Sequence, residues 1–347
     1  MKFDVFNISD PRWGVVINEI PAENKDIYFL QEWYKTWLDH ENSEAYCIYA
    51  EIDGYKFLYP FLKRCISNYE LDKTYYDIQS AYGYGGIISQ DNEIPSGVEY
   101  KLNQTIDEYL CSNNIIAEFI RDHPLIKSIK RRAEYSLVRR NVFITPTLSY
   151  KVPNKQARQN IEKAEYLKLE SFIDHNLEHL DRFIELYALT AHRINMSDYY
   201  RFNQEYFDKI KFFLLGMATL IHVRIGEKII AGGLLLNYQG KASLHLTASD
   251  DEYFNYRPND FLYNSVIRFS IENQIQILNL GGGLSPDPND TLFRFKSKYS
   301  DYNTEVFVGK NIINPKIYSN IIEQWSRKYP DLRGKYVNYF LKYQQLT

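Results

Sequence analysis

The pattern of apolar and polar residues in the second half of the chain predicts helices followed by an antiparallel sheet. Apolar residues recur with helical spacing over 177–192 and 203–213. Three apolar runs, over 218–225, 228–237 and 242–248, are separated by short turns that contain glycine, which predicts a three-stranded meander. The elements expected next are a helix over 258–273, a buried strand over 275–280, a strand over 305–308 and a helix over 315–328.

The first half of the chain has the pattern of a mixed α/β domain. Asp53-Gly54 separates two apolar runs, and this dipeptide is typical of a tight β-hairpin turn. A helix is expected over 98–113, and a short apolar strand over 115–121.

The best domain boundary lies at 150–154. Pro146 and Pro153 bracket this segment, and the pattern then changes to a charged helix. The sequence therefore predicts two domains, 1–150 and 151–347.

Two glycine-centred blocks stand after strand-like runs. One covers 76–86, and the other covers 280–283 and is followed by a charged aromatic segment at 292–296. Glycine allows positive φ and a close approach of the backbone to a ligand. The two blocks predict a paired architecture with a cleft between its halves.

Composition narrows the functional classes. The net charge is −3, and no run of eighteen apolar residues occurs, so neither a general attraction for DNA nor membrane insertion is expected. An acidic residue near the amino terminus, Asp4, argues against a signal peptide and predicts a cytoplasmic protein.

Metal binding and disulfides are not predicted. The three cysteines have no close pair. His175 and His179 have helical spacing, but no glutamate of the zinc-protease pattern stands between them.

An ordered set of motifs carries a family resemblance. Its pieces are Tyr76-Asp77 through Gly86, Arg121-Asp122-His123-Pro124-Leu125, the segment 158–164, 183–193 with Tyr199-Tyr200, and 280–283 with 293–299. Because these motifs occur in this order and with this spacing, the chain resembles the FemAB-like branch of the GNAT superfamily. The resemblance implies an α/β (α+β) fold with two tandem GNAT-like domains. Each domain would have a mixed, mainly antiparallel sheet flanked by helices.

The resemblance also implies transfer of an acyl or aminoacyl group to a primary amine. The donor would be acyl-coenzyme A, with acetyl-coenzyme A first among the candidates, or aminoacyl-tRNA, and no metal would be needed. One departure concerns the phosphate loop of coenzyme-A-binding relatives. Its place holds Arg257-Pro258-Asn259-Asp260-Phe261, which lacks glycine and adds a negative charge.

Three residues are candidates for catalysis. Asp77 lies in an apolar, aromatic segment, where burial would tune a carboxylate to act as a base, or it is a capping carboxylate. Lys296 could orient a phosphate or the acyl carbonyl, or form a salt bridge with Asp290 or Glu305. His245 lies on a predicted central strand and is either a catalyst or a satisfied core histidine.

Seven residues are candidates for substrate binding: Tyr82, Tyr84, Arg121, His123, Arg158, Arg193 and Tyr200. Tyr82 and Tyr84 offer faces for a substrate, or pack over the glycines. Arg121 and His123 end a predicted strand, where arginine can grip a phosphate or pair with a neighbouring carboxylate.

The remaining three binding candidates rest more on the resemblance. Arg158 belongs to the charged helix of the second domain and could contact a diphosphate or tRNA, or lie in solvent. Arg193 and Tyr200 match a helix and loop that border the acceptor cleft, although Arg193 alone would also suit a helix carboxyl terminus.

The leading hypothesis is an N-acyltransferase that acts on an amine-bearing cell-envelope precursor, such as a nucleotide-linked amino sugar or a peptide stem. Direct attack in a ternary complex is expected. The alternatives are aminoacyl transfer from charged tRNA in peptidoglycan bridge formation, and a non-catalytic module that binds a glycan or peptide. A nucleic-acid-binding role for the basic cluster at 127–140 is disfavoured.

Overall fold

The computed structural model describes residues 1–39 and 42–346. Its strands are β1 (Lys2–Asn7), β2 (Glu44–Ile52), β3 (Tyr55–Ile66), β4 (Tyr75–Gln79), β5 (Ile88–Ser89), β6 (Ile115–Arg121), β7 (Glu134–Ile144), β8 (Glu170–Asp174), β9 (Ala218–Ile225), β10 (Lys228–Tyr238), β11 (Lys241–Ser249), β12 (Ile277–Gly282) and β13 (Asn303–Ile312). The α-helices are α1 (Arg12–Glu19), α2 (Gln31–Lys35), α3 (Ser96–Ser112), α4 (Lys155–Tyr166), α5 (Leu180–Arg193), α6 (Gln204–Phe213), α7 (Pro258–Glu272), α8 (Thr291–Lys296), α9 (Pro315–Lys328) and α10 (Leu332–Lys335).

The chain divides into two compact units. Unit 1 consists of residues 1–137 and 306–347, and unit 2 consists of residues 138–305. The sequence-based division at 150/151 differs from this arrangement. Its boundary follows the prolines, whereas the compact units are separated inside β7 and β13, two strands whose pairing partners lie far away in sequence.

The sheet of unit 1 has the order β1-β2-β3-β4-β6-β13, and β5 pairs with β3. Its pairs are antiparallel except β4 with β6, which are parallel and joined through α3. The predicted hairpin is confirmed, because Asp53 and Gly54 both have positive φ in the turn between β2 and β3.

The sheet of unit 2 repeats this plan with the order β8-β9-β10-β11-β12-β7. The predicted meander is confirmed as β9, β10 and β11, and the only parallel pair among these described strands is β11 with β12. α7 makes the crossover between them and begins with Pro258 in its first turn, as expected. Both sheets are thus mainly antiparallel and flanked by helices, which confirms the predicted fold class.

The last strand of each sheet comes from the other half of the chain. β7 follows β6 in sequence but completes the sheet of unit 2 against β12. β13 follows β12 but completes the sheet of unit 1 against β6. The two units therefore exchange their final strands.

The core of unit 2 forms around α7. Its buried side chains include Leu262, Val266 and Ile267, which belong to one cluster with residues of β9, β10 and α4. Because α7 crosses over the sheet with most of its surface buried, its amino terminus has a fixed position at one end of the strands.

β11 and β12 separate after a short contact. Among the described residues, their pairing is confined to 241–243 with 277–279, although β11 continues to Ser249 and β12 to Gly282. Beyond Ser243, β11 therefore presents backbone N–H and C=O groups that β12 does not pair.

Within the described part of the chain, no helix combines the length and the apolar character needed to cross a membrane.

Candidate active site in unit 2

Asp290 organises the short helix α8 and the glycine block before it. Its Oδ1 accepts hydrogen bonds from the N–H groups of Leu292 and Phe293, both at 3.0 Å, and its Oδ2 accepts one from Leu284 at 3.0 Å. Burial raises the pKa of Asp290, but these backbone donors outweigh it and hold the pKa below its ordinary value. A Cβ at Gly283 would lie 2.5 Å from Oδ1, so only glycine fits there.

Lys296, at the end of α8, is buried against the end of β12. Its Nζ donates a hydrogen bond to the carbonyl of Gly282 at 2.9 Å. Burial first, and nearby Arg139 second, lower the pKa of Lys296 to about 7, against an opposite effect of Asp290. An amine with this pKa exchanges protons readily near neutral pH.

Gly281 makes room for this lysine. Its φ is +76°, and a Cβ at this position would lie 2.8 Å from the lysine Nζ. Glycine is therefore required in the block at 280–283 because Lys296 and Asp290 occupy the space that side chains at Gly281 and Gly283 would need.

Two neighbouring cavities adjoin α8 and share Phe295 and Lys298. The larger measures about 500 Å³ and the smaller about 260 Å³. The ammonium group of Lys298 lies 5.2 Å from the centre of the Phe295 ring. The larger cavity is also lined by Asn154, Pro288, Thr291, Phe293, Arg294 and Ser297, and the smaller by Asn160, Phe254, Arg257, Pro258, Asn259 and Asp260.

The smaller cavity lies at the amino terminus of α7. Arg257, the residue before the helix, has φ +63° and ψ +42°, a left-handed conformation. Unbonded N–H groups at a helix amino terminus attract anions, and the cations of Arg257 and Lys298 add to that field.

Asp260 faces inward in this structure. Its carboxylate accepts hydrogen bonds from the Asn160 side chain and the Tyr299 hydroxyl, each at 3.0 Å, and the residue is 6% exposed. The negative charge that counted against a phosphate site in the sequence is therefore held by two hydrogen bonds, although Asp260 also lines the smaller cavity.

The separated part of β11 is linked to the cavity wall. Burial raises the pKa of the Tyr263 hydroxyl on α7, and Thr247 of β11 lies close enough to lower that pKa in part. The Tyr263 ring makes an edge contact with Phe295, with centroids 5.1 Å apart. The separated part of β11 and the smaller cavity are thus linked through α7, and Lys296 directly follows the cavity residue Phe295 in α8.

Two further candidate site residues, His245 on β11 and Arg193 at the end of α5, lie in unit 2. His245 on β11 shares a 2.7 Å hydrogen bond with the Tyr206 hydroxyl, and burial lowers its pKa to about 3, so the ring is neutral. Arg193 donates to the carbonyl of Ser249 at 2.9 Å and lies over the ring of Phe254, which lines the smaller cavity.

Arg158 and Tyr200 do not line the two cavities. Arg158 donates to the carbonyls of Val152 and Pro153 at 2.8 and 2.7 Å, which ties down the segment that enters α4. Tyr200 is 39% exposed and packs edge-on against Tyr199.

Asp77 lies in unit 1 and has no exposed surface. One oxygen accepts a hydrogen bond from Arg64 Nε at 2.9 Å, and the other accepts one from Gln344 Nε2 at 2.8 Å. A substrate amine cannot reach a carboxylate enclosed in this way, so the expectation that Asp77 acts as a base does not fit its position. It is a buried ion-pair residue.

His123 and Tyr84 also belong to the interior of unit 1. The Nδ1 of His123 accepts N–H groups from Leu125 and Ile126, so its Nε2 carries the hydrogen that bonds Asp26 at 3.1 Å. Tyr84 is 4% exposed and packs edge-on against the His123 ring at 5.1 Å. Each therefore offers little surface to a substrate, and their roles in binding stay predictions.

Tyr82 and Arg121 are the more accessible predicted residues of unit 1. Tyr82 is half-buried, with its ring 5.1 Å from that of Trp37. Arg121 donates to the carbonyl of Ser80 and lies 5.0 Å from the Phe119 ring. Their roles in binding stay predictions.

Lys298, Phe295 and Asn160 have positions in the site that the residue pattern did not reveal. Lys298 stands two residues after Lys296, and the spacing alone does not tell which lysine is buried. The aromatic residues around both lysines were the only feature of the sequence that could have indicated a binding site there.

Comparison with known proteins gives a domain match in unit 2. Residues 154–297 match the family described as an acetyltransferase (GNAT) domain. No curated protein sequence matches the chain.

Solved structures share the fold over nearly the whole chain. The crystal structure of FemX has a TM-score of 0.65 at 16% identity, covering 91% of this chain and 99% of its own. L-PGS from Bacillus licheniformis has a TM-score of 0.51 at 10% identity, covering 87% and 97%. A tandem GNAT protein from the clavulanic acid biosynthesis pathway has a TM-score of 0.50 at 8% identity, covering 90% and 99%.

Proposed function

A GNAT acetyltransferase domain within a fold shared with FemX supports the FemAB-like branch and an acyltransferase, and from this premise we propose an N-acyltransferase acting on a primary amine. The acceptor is the amine of a cell-envelope precursor, either a nucleotide-linked amino sugar or a peptide stem. The donor is an acyl-coenzyme A, and transfer occurs directly in a ternary complex.

The observation that carries this proposal is the cation-lined cavity at the amino terminus of α7, next to the gap between β11 and β12. The helix terminus, Arg257 and Lys298 would bind the donor's phosphates. The unpaired edge of β11 would bond the amides of the donor's arm and direct its acyl end toward β12.

Lys296 is the residue we assign to proton transfer. The neutral amine of the acceptor attacks the thioester carbonyl, so a C–N bond forms and the C–S bond then breaks. Neutral Lys296 accepts the proton that the amine loses and returns it to the departing thiolate. Its pKa of about 7 suits both steps near neutral pH.

A covalent enzyme intermediate is not part of the proposal. The cysteines Cys47, Cys65 and Cys111 all lie in unit 1, and none lines the two cavities of unit 2. Direct attack requires only that donor and acceptor are held together, which is the main contribution expected from such a site.

The test is an acyl-transfer assay by mass spectrometry, with a panel of acyl-coenzyme A esters and with amino sugar nucleotides and peptide stems as acceptors. Lys298→Ala and Arg257→Ala should raise the KM for the donor about tenfold or more, because each removes a charged contact with phosphate. Lys163→Ala removes an exposed lysine of the same unit and should leave the KM unchanged.

Turnover with aminoacyl-tRNA but not with any acyl-coenzyme A would replace the proposed donor. Glycan or peptide binding without turnover by either donor would contradict the enzymatic proposal as a whole.

A further inference from the structure

A carboxylate and two histidines meet at the opposite edge of the unit 2 sheet, away from β12. Asp174 is the last residue of β8, His222 lies on the neighbouring strand β9, and His179 directly precedes α5. One ligand atom from each of the three residues lies within 4.8 Å of those of the other two. Residues from β8, from β9 and from the turn before α5 therefore present one oxygen and two nitrogens to a common point.

His222 has no hydrogen-bond partner. Its side chain is fully buried, and neither Nδ1 nor Nε2 makes a hydrogen bond. The ring stacks on Phe172, with centroids 4.9 Å apart, and a Cβ at Gly232 would lie 3.3 Å from its Nδ1. Its Nε2 is directed at Asp174 Oδ2 from 3.6 Å, too far for a hydrogen bond.

A buried imidazole without a partner is costly, because both its N–H and its lone pair lose their contacts with water. A cation at the common point would bind the lone pair and remove one of these two deficits. The unsatisfied, buried ring of His222 therefore indicates a ligand independently of the proximity of the three side chains.

The two distances from the carboxylate to the imidazoles suit a tetrahedral zinc ion, and the two imidazole nitrogens lie within 4.8 Å of each other. Asp174 Oδ2 lies 3.4 Å from His179 Nδ1 and 3.6 Å from His222 Nε2. Ligand atoms about 2.0–2.2 Å from a tetrahedral Zn²⁺ lie about 3.4 Å from one another. The donor set, two imidazoles and one carboxylate, is also one that zinc accepts.

We propose that Asp174, His179 and His222 form a binding site for a divalent transition-metal ion, with Zn²⁺ as the best fit. The fourth position would hold water, because the side chain of His179 is 48% exposed and leaves that side open. The bound ion would join the loop before α5 to β9 and stabilise this edge of the sheet.

Asp174 also has a structural role that does not depend on a metal ion. Its two oxygens accept N–H groups from Glu178 and His179 at 2.9 and 2.8 Å, which shapes the turn before α5. This role requires no metal and leaves His222 without a partner. The His179 imidazole also lies 3.4 Å from Asp174 Oδ2, so a variant at His179 removes this ion pair as well as a metal ligand. Metal affinity, rather than stability without metal, is therefore the readout that separates the two roles.

The experiment is isothermal titration of the full chain, first dialysed against a chelator, with ZnCl₂, followed by the same titration with CoCl₂ read by visible absorption. One equivalent should bind to the wild type and raise the melting temperature. His179→Ala should weaken binding by more than the about 10–100-fold that follows loss of a group merely hydrogen-bonded to a ligand.

His175→Ala is the matched control. His175 lies in the same loop, is exposed, and contacts Thr219 rather than the cluster. Unchanged zinc affinity in this variant, together with loss in His179→Ala, supports the site. Absence of binding to the wild type, or equal affinity of wild type and His179→Ala, overturns it.

Discussion

Burial of Lys296 couples the protonation of one amine to folding. Its pKa is about 7 in the folded chain and lies near the ordinary lysine value of 10.5 when unfolded. Between these values the unfolded chain binds the extra proton, so this group makes the protein more stable as pH rises from about 7 to 10. Below pH 7 Lys296 is a buried ammonium in the folded state, and burial of this charge lowers the free energy of unfolding by its full amount.

Lys296→Met should therefore change stability in a pH-dependent way. The substitution removes the buried ammonium, so its effect on the free energy of unfolding should be more favourable at pH 6 than at pH 9. Chemical denaturation at both pH values measures this difference. Lys163→Met, which removes an exposed lysine of the same unit, serves as the control, and an equal effect of Lys296→Met at both pH values would contradict the prediction.

The same variant should lose activity. If Lys296 transfers the proton, Lys296→Met should lower kcat by about 10²–10⁴-fold, the usual contribution of a general acid or base. Steady-state kinetics with a saturating acyl donor measures it. A loss confined to KM would show instead that Lys296 only binds substrate.

Single residues were the hardest to assign from the sequence. Asp77 and Lys296 were both candidates for catalysis beside a glycine block, but Asp77 is enclosed by Arg64 and Gln344, whereas Lys296 bonds a backbone carbonyl. Gln344 is distant in sequence, and no local pattern reveals such a partner. His222 was overlooked for the same reason, since its neighbour Asp174 is on another strand.

At the scale of the element, α7 has a left-handed residue beyond each end. Arg257 has φ +63° before the helix, and Gln274 has φ +54° after it. A residue with a side chain is destabilised in this conformation by roughly 1–2 kcal/mol. Substitution by glycine removes this strain from the folded state, but the greater conformational freedom of glycine in the unfolded chain offsets part of the gain.

Arg257→Gly should keep or slightly raise the melting temperature while raising the KM for the donor. Gln274→Gly should have the same effect on stability with no effect on KM, because Gln274 does not line the smaller cavity. Thermal melts and donor titrations of both variants test this. Equal KM values would remove Arg257 from the donor site.

Elements with strong local patterns were predicted well, and elements that depend on distant groups were not. The meander β9 to β11 and α7 follow from alternation, turn glycines and Pro258. The six residues of α8 carry too little periodicity, and this helix depends on its cap by Asp290.

At the scale of the whole molecule, the exchange of β7 and β13 decides which fragments can fold. Residues 138–305 contain the part of β7 that pairs with β12, whereas residues 151–347 lack β7 altogether. The first fragment should therefore melt cooperatively. The second should aggregate or melt without cooperativity, since the edge of β12 is left unpaired.

Circular dichroism melts and two-dimensional NMR spectra of the two purified fragments make the comparison. A cooperative melt of 151–347 with no folded 138–305 would restore the sequence-based boundary at 150/151. That boundary was placed by local composition, which carries no information about the partner that a strand will find.

The strand exchange also sets an order of events during synthesis. β6 leaves the ribosome well before β13, its partner, and at about 5–20 residues per second the interval is on the order of tens of seconds. Unit 2 has all of its paired strands by the end of β12, before β13 has been synthesised. A chain that ends between residues 297 and 303 would thus carry a complete GNAT domain attached to a nascent sheet with an open edge, a species for chaperones or proteases to recognise.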